Sequence, residues 1–216
     1  MTCTTDSSGD GSRRAHRVDV VDLGRRPFAE VHRAMLELHE SIRRGESDGK
    51  VWFVEHDDVF TAGRATPPEE IRDGIVPIER GGRITWHGPG QLVVYPIVRL
   101  PRRDAGAWLR ALERFGCAVC GAFALTAEAS VDGTGVFVAG RKLASIGVAL
   151  KSWINLHGIA INVDVAEDAF AAIRPCGLAP SIMSDLSRAT GRRISLDECK
   201  AAARAALPPL LDGGIA

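Results

Sequence analysis

Cys176 has the setting of a nucleophile, because it lies in a short loop and not on a helix face. It stands in the run IRPCGLAP, between Pro175 and Gly177 and just past a predicted helix. Proline and glycine on its two sides hold the backbone in a non-helical conformation and leave the sulfur sparsely covered. This pattern favours attack by the sulfur on an electrophile, and the alternative is an inert, half-buried thiol.

Lys142 is the residue that we expect to activate such a thiol. A free cysteine with a pKa near 8.5 is only a few per cent thiolate at neutral pH, so it needs help. Lys142 opens a predicted strand in GRKLASIGV, and alternation places it on one face with Ala144 and Ile146, where a lysine is unusual. An ammonium favours a neighbouring thiolate, and a partly desolvated lysine can also release its proton and act as a base. The alternative is a lysine whose stem snorkels at a strand end.

The run RGGRITWHGPGQLVVYP at 80–96 is rich in glycine just ahead of an apolar strand. Glycine suits a loop whose backbone comes close to a ligand, with N–H groups free to donate, and the alternative is a hairpin turn with a fixed proline. His87 in this run and His157 in NLHGIAIN could each position a substrate or shuttle protons. The alternative is a structural histidine that bonds to the backbone, and the sequence leaves the two roles open. No role is assigned to the histidines of the tail, the first helix and the following loop (His16, His32, His39 and His56).

The other cysteines of the folded region are predicted to be small core residues. Cys117 and Cys120 have the C-x-x-C spacing of redox and zinc sites, but no second pair completes a zinc site. Both lie on the apolar side of a predicted helix, which favours packing. Cys199 lies on the alanine-rich face of a helix that begins with a capping box formed by Ser195 and Glu198.

Composition limits the class of protein. The 216 residues include 27 Lys and Arg against 27 Asp and Glu, so no net field draws the chain to nucleic acid or lipid. No apolar run approaches the roughly 20 residues that span a bilayer, and the N-terminal stretch has no apolar segment typical of a secretory signal. The five irregularly spaced cysteines favour a cytoplasmic location. We expect residues 1–16 to be a disordered tail and residues 17–216 to form one domain.

Periodicity places these candidates on a mixture of strands and helices. Strands are predicted at about 17–23, 51–56, 76–79, 84–86 and 92–98, with a hairpin around 140–141 and an alternating strand in INLHGIAINVDV. Helices are predicted at about 27–44, 104–124 and 167–173, and two small helices follow them. Residues 59–70 are predicted to form a loop. Consecutive strands with helices gathered around them indicate an α/β or α+β single domain on a mixed or antiparallel sheet.

Five motifs in order resemble the lipoyl(octanoyl) transferases, from about residue 18 to residue 190. They are VFTAGR at 59–64, RGGRITWHGPGQLVVYP at 80–96, GRKLASIGV at 140–148, LHGIAINV at 156–163 and RPCG at 174–177. The resemblance implies the biotin and lipoate protein ligase fold. It also implies transfer of an octanoyl or lipoyl group from acyl carrier protein to a lysine of lipoyl domains or of the glycine cleavage H protein, with no cofactor and no metal.

The same resemblance assigns roles to residues. It implies that Cys176 becomes an acyl-thioester and that Lys142 lowers the pKa of that cysteine and handles protons. Its acyl-binding positions are Arg80, Gly81, Gly82, Arg83, Ile84, Thr85, Trp86, His87, Ser145, Ile146, Gly147, Gly158, Ile159 and Ala160. We expect the alternating strands to line a slot for the acyl chain. Backbone N–H groups near Cys176 or in the glycine-rich loop are expected to bind the oxyanion.

Two other functions remain open at this point. An ATP-dependent lipoate or biotin ligase of the same fold would form an acyl-adenylate and would not need Cys176. A binding protein that only holds acylated domains would need neither reactive residue.

The chain departs from the family pattern at Asp57, where the family usually has proline after a histidine. This departure leaves the shape of that loop open. Three arginines are candidate contacts for an acidic carrier protein, and the alternative, which the pattern favours, is a solvated surface (Arg102, Arg103 and Arg141).

Overall fold

The computed structural model describes residues 18–129, 134–170 and 182–211. Within these ranges the helices are α1 (Phe28–Arg43), α2 (Ala105–Gly121), α3 (Leu186–Thr190) and α4 (Leu196–Leu211). The strands are β1 (Asp19–Arg26), β2 (Gly49–His56), β3 (Val59–Ala62), β4 (Ile75–Pro77), β5 (Ile84–His87), β6 (Gln91–Val98), β7 (Ala127–Ala129), β8 (Gly135–Val138), β9 (Arg141–Lys151) and β10 (Ile154–Asn162).

Seven strands form the main sheet in the order β1-β2-β6-β10-β9-β8-β7. β1 and β2 are parallel because α1 carries the chain back between them, and the other neighbours are antiparallel. The strands β4, β3 and β5 form a smaller sheet in that order. The mixed sheet flanked by helices confirms the predicted fold class.

Helices cover both faces of the main sheet. On one face Leu112 and Phe115 of α2 pack with Leu92 and Ile159 and with the apolar side of α4. On the other face Met35 of α1 packs in a second apolar cluster, with residues of β2, β6 and β10. The central strands β6 and β10 are therefore buried along their whole length. The alternating sequence of β10 would ordinarily indicate one buried and one exposed face. In the structure both faces of this strand are buried.

The predicted packing of three cysteines is confirmed. Cys120 and Cys199 are buried in the core between α2 and α4, and Cys117 packs at its edge. Burial raises the pKa of the Cys120 thiol to about 12 and also raises the pKa of Cys199 and Cys117. The capping box is confirmed as well, since the Ser195 N–H donates to the Glu198 carboxylate at 2.8 Å and the Glu198 N–H donates to the Ser195 hydroxyl at 3.2 Å.

Three predictions of local structure differ from the structure. Residues 59–62 were expected in a loop but form β3, whose pairing with β5 is a long-range contact that local pattern does not show. Residues 167–170 form turns where a helix was expected, and 171–173 lie outside the described residues. The last helix, α4, has 16 residues and is not small. The expected tail at 1–16 also lies outside the described residues. No described helix is both long and apolar enough to cross a membrane.

Candidate active site

One cavity collects side chains from the three segments that were expected to bind substrate. It is lined by Ile78, Arg80, Thr85, His87, Val93, Tyr95, Ser145, Ile146, Gly147, His157, Gly158, Ile159 and Ala160. Its volume of about 30 Å³ has room for about two water molecules.

Strand register makes one wall of this cavity from two motifs. Ser145, Ile146 and Gly147 of β9 pair directly with Ala160, Ile159 and Gly158 of β10. The two strands are joined by a two-residue turn at Ser152 and Trp153, whose φ angles of 52° and 59° are those of a type I′ hairpin turn. Because register fixes which side chains share a face, this turn determines that the two tripeptides lie opposite each other.

Arg80 holds the glycine-rich loop against this wall. Its guanidinium donates to the carbonyls of Thr61, Gly81 and Arg83 at 2.8 to 2.9 Å, and to the Thr61 hydroxyl. Its stem lies over Gly147, where an added Cβ would come within 2.9 Å of the Arg80 Cδ. The Gly81 N–H donates to the carbonyl of Val148, which ties the same loop to β9. Arg80 therefore contributes to the cavity mainly by fixing the backbone around it.

Five of the expected binding residues do not line the cavity: Gly81, Gly82, Arg83, Ile84 and Trp86. The reason for the last two is strand alternation, since Thr85 and His87 face the cavity and their neighbours face the other way. Trp86 packs against Phe170 and donates to Asp58 at 2.9 Å in a separate groove. Arg83 forms an ion pair with Glu70.

Lys142 is buried, with 1% of its surface exposed, so it does not snorkel to water. A bulge in β9 opposite Val136 and Phe137 of β8 helps to turn it inward. Its ammonium donates to the Thr134 carbonyl at 3.3 Å and lies 5.6 Å from the centre of the Phe137 ring. Space for the side chain exists because residue 135 is glycine, where a Cβ would meet the Lys142 Cε at 2.6 Å.

The Thr134 carbonyl connects this amine to the cavity wall. It accepts from the Lys142 ammonium and also from the Ile146 N–H, at 3.3 and 3.5 Å. The amine and the wall formed by β9 and β10 are thus two hydrogen bonds apart.

Cys176 lies in the segment 171–181, outside the described residues, but residues on both sides of that segment belong to one apolar cluster. On one side Phe170 packs on Trp86 in a small apolar cluster that also contains Met183. On the other side Met183 pairs with Lys142, whose carbonyl accepts from the Ser184 N–H at 3.0 Å. The two ends of the segment therefore lie in one region, beside the strand that carries the candidate amine.

Two of the histidines to which the sequence assigned no role are buried in the structure. His56, expected in a loop, is fully buried at the end of β2, where its ring nitrogens contact the Arg26 carbonyl and the Tyr95 hydroxyl at 3.0 Å. His39, expected on a helix surface, is buried and bonds to the Lys151 carbonyl. His157 has a left-handed backbone with a φ of 63°, which is uncommon for a residue other than glycine.

His32, Glu79 and His157 form a cluster of metal-ligand types. The Nε2 atoms of the two histidines lie 3.0 and 3.6 Å from Oε2 of Glu79. However, the imidazoles are stacked with their planes 24° apart, so their lone pairs run side by side and do not meet at one ion. Lys151 also lies 3.7 Å from the carboxylate. The Glu79 carboxylate bonds to His32 at 3.0 Å, and the nearby His157 and His32 imidazoles hold the pKa of Glu79 well below the usual range.

Burial near the cavity should make the protein sensitive to acid. It lowers the pKa of His87 from 6.5 to about 3 and also lowers the pKa of His56 and His157. These imidazoles stay neutral in the folded protein, whereas the unfolded chain protonates them as the pH falls below 6.5. The free energy of unfolding is therefore highest above that pH and decreases below it, by up to about 1.4 kcal/mol per pH unit for each histidine.

We expect the His87→Asn variant to lose less stability on acidification than the native chain. The difference for this one group should approach about 2 kcal/mol between roughly pH 6.5 and pH 5. Urea unfolding at the two pH values measures it. Equal losses in both proteins would mean that His87 does not titrate differently in the folded and unfolded states.

The chain matches a family model and several curated relatives over most of its length. The model for the lipoyl protein ligase A/B catalytic domain matches residues 28–208. An octanoyltransferase of Geobacter metallireducens is 36% identical over 196 residues, which are 88% of this chain and 92% of the relative. An octanoyltransferase of Mycobacterium tuberculosis is 40% identical over 204 residues, 91% of this chain and 88% of the relative.

Solved structures share the fold at low sequence identity. A lipoate-protein ligase A bound with ATP superimposes with a TM-score of 0.70 at 17% identity, over 91% of this chain and 85% of that one. A putative lipoate protein ligase from T. acidophilum with bound lipoic acid gives 0.69 at 16% identity, over 90% and 86%. A biotin protein ligase from Aquifex aeolicus gives 0.57 at 14% identity, over 90% and 70%. The likeness in these cases concerns the fold.

Proposed function

We infer that this chain, which belongs to the lipoyl protein ligase A/B catalytic domain family, is an octanoyltransferase that supplies octanoyl groups for protein lipoylation. Its octanoyltransferase relatives are 36 to 40% identical over most of their length. The geometric observation that carries the inference is the wall built from Ser145 to Gly147 and Gly158 to Ala160, with the buried Lys142 amine two hydrogen bonds away. An apolar slot beside an amine is what a fatty acyl transfer site requires.

In the first step, the Cys176 thiolate attacks the thioester carbonyl of octanoyl-acyl carrier protein. A new carbon–sulfur bond forms, the bond to the carrier's thiol breaks, and the carrier thiolate leaves and takes up a proton. A thiolate is both a strong nucleophile and a good leaving group, so it divides the transfer into two easier steps. Both thioesters have similar energy, and therefore this step needs no nucleotide.

In the second step, a neutral lysine amine of a lipoyl domain attacks the Cys176 thioester. An amide bond forms, the carbon–sulfur bond breaks, and the amine loses a proton while the Cys176 thiolate is restored. Amide formation from a thioester is downhill, which makes the second step the one that drives the cycle.

Lys142 is suited to both steps. As an ammonium it stabilises the thiolate electrostatically, and as a neutral amine it accepts the proton that the substrate lysine must lose. Its burial under Gly135 and Phe137 keeps water away, which strengthens its interaction with a nearby charge.

Backbone N–H groups are the proposed donors to the oxyanion of each tetrahedral intermediate. Gly81 is removed from the candidates, because its N–H already donates to the Val148 carbonyl. The Gly90 N–H is also occupied, because it donates to the Glu55 carboxylate at 2.9 Å. The remaining candidates are the N–H groups of Cys176, Gly177, Gly82 and Gly88.

The proposed donor is an acidic acyl carrier protein and the proposed acceptors are lipoyl domains, including the glycine cleavage H protein. Arg102 and Arg103 are exposed and suit contact with an acidic carrier. Arg141 is a weaker candidate because its guanidinium donates to the Met183 carbonyl at 3.0 Å.

Incubation with octanoyl-acyl carrier protein in the absence of nucleotide tests this function. The intact mass of the protein should increase by one octanoyl group, and peptide mapping should place that group on Cys176. Addition of a lipoyl domain should then remove the adduct and acylate the domain. If no adduct forms and acylation of the domain requires ATP and free octanoate, the protein is a ligase and not a transferase.

A further inference from the structure

A chain of buried side-chain amides ends on His87 and determines where that imidazole holds its proton. It starts at the Ser184 carbonyl, which can only accept a hydrogen bond. Asn162 lies 2.9 Å from this oxygen, so the nearer atom must be its Nδ2, and its Oδ1 must point the other way. The orientation of Asn162 is thereby fixed by the backbone.

Gln91 continues the chain from Asn162, its direct partner across β6 and β10. Oδ1 of Asn162 lies 2.9 Å from the Gln91 amide and can only accept, so the Gln91 atom there must be Nε2. The Trp86 carbonyl, 3.5 Å from the same Nε2, agrees with this orientation. Oε1 of Gln91 is therefore the atom that faces His87.

His87 then has only one consistent tautomer. Its Nδ1 lies 2.7 Å from Oε1 of Gln91, which can only accept, so Nδ1 must carry the hydrogen. Burial keeps the ring neutral, and the neighbouring His56, His157 and Arg80 disfavour a second proton. Nε2 consequently presents a lone pair. No residue in the described ranges bonds to that atom, and the ring lines the cavity.

A lone pair at this place matches some reacting groups and not others. It would repel an oxyanion, so His87 is not an oxyanion donor. Its low basicity, with a pKa of about 3, makes it a poor proton store at neutral pH. It fits a group that offers an N–H or S–H hydrogen. In the proposed reaction Lys142 accepts one hydrogen of the neutral amine of the acceptor lysine, which leaves the second N–H of that amine as the donor without an assigned partner.

We propose that the Ser184–Asn162–Gln91 chain locks His87 as the Nδ1–H tautomer, and that its Nε2 accepts a hydrogen bond from the incoming lysine amine. This bond orients the nitrogen lone pair of the amine toward the thioester carbonyl, while the proton itself leaves through Lys142. The role in amine capture rests on the proposed function; the tautomer does not. Gln91 and Asn162 are positioning residues, because they act through His87.

Nitrogen-15 NMR of the histidine side chains tests the tautomer without reference to activity. In the native chain, His87 should show a protonated Nδ1 and an unprotonated Nε2 from about pH 5 to about pH 8, since its pKa lies well below this range. The Gln91→Met variant removes the acceptor and should give a mixture of tautomers. Gln91→Glu retains an acceptor and should keep the Nδ1–H form. A native spectrum with hydrogen on Nε2 overturns the proposal.

Separate measurement of the two half-reactions tests the role of Nε2. The His87→Asn variant places an amide donor near the position of Nδ1, so it keeps the bond to Gln91 but has no atom at Nε2. We expect acyl loading from octanoyl-acyl carrier protein to change by less than about twofold and transfer to the lipoyl domain to slow by about 10²-fold. Gln91→Met should show the same selective loss, and Gln91→Glu should restore transfer.

His39→Asn is the matched control, because His39 is also a buried histidine. Its ring contacts the Lys151 carbonyl and the Glu40 carboxylate, and it lies outside the cavity lining. It should leave both half-reactions unchanged. Equal slowing of loading and transfer in His87→Asn would assign His87 to the thiol or to general structure, and unchanged transfer would exclude a role. If the native protein forms no octanoyl adduct, the proposed function fails and amine capture fails with it, whereas the spectrum still decides the tautomer.

Discussion

The Cys176→Ser variant should take up no octanoyl group from the carrier protein on the timescale of native turnover. A serine hydroxyl is far less acidic than a thiol, so one neighbouring ammonium does not ionise it, and its ester is a poorer acyl donor to an amine. We expect the overall transfer rate to fall by about 10³- to 10⁵-fold, as for other nucleophiles of covalent enzymes. Intact-mass spectrometry of the loading step and a gel assay of the acylated lipoyl domain measure the two effects.

Cys117→Ser is the control for this substitution. Cys117 is half-buried at the edge of the core and its pKa is raised by burial, so it is a thiol with no activating setting. Its variant should load and transfer like the native chain. A full octanoyl adduct on Cys176→Ser, or loss of the adduct in Cys117→Ser, would place the reactive sulfur elsewhere.

The Lys142→Met variant should load the acyl group about 10²- to 10³-fold more slowly at neutral pH. Methionine has a similar length and fits between Gly135 and Phe137, but it provides neither the charge that favours the thiolate nor a group that accepts a proton. The rate at which Cys176 reacts with iodoacetamide should consequently rise only at higher pH than in the native chain. Stability should change little, because an apolar side chain of similar volume replaces a buried charge.

Lys50→Met is the matched control, since Lys50 lies half-exposed on β2. It should leave both the loading rate and the alkylation profile as they are. An unchanged alkylation profile in Lys142→Met, with slow loading, would restrict Lys142 to proton transfer. Unchanged loading with slow transfer would restrict it to the second step, and no change in either step would remove it from the mechanism.

The sequence pattern identified the reactive side chains better than the residues that make room for them. Alternation placed Lys142 on one face with apolar neighbours and left a snorkelling side chain as the alternative, and the structure shows it buried. The pattern could not show the bulge that turns it or the space left by Gly135, since both depend on pairing with β8. A reactive residue can be recognised from its type and its neighbours in sequence. The space that its side chain occupies depends on how distant strands pack together.

The buried polar network was missed for a different reason. Gln91 and Asn162 each stand at one end of an apolar strand, where a polar residue suggests a strand end. Both are buried, and a buried amide requires a partner, so polar residues bordering central strands are a usable signal for such networks. His56 was missed because nothing local indicates that Phe28 and Tyr95 cover it.

The short turn at Ser152 and Trp153 has a consequence for how this fold changes over evolution. It lets one contiguous hairpin align the tripeptides Ser145–Gly147 and Gly158–Ala160 by local pairing, with only a short loop to close. The thiol comes from a different part of the polypeptide. Substitutions in that other part can therefore change the reactive group while the pairing of the two tripeptides stays as it is.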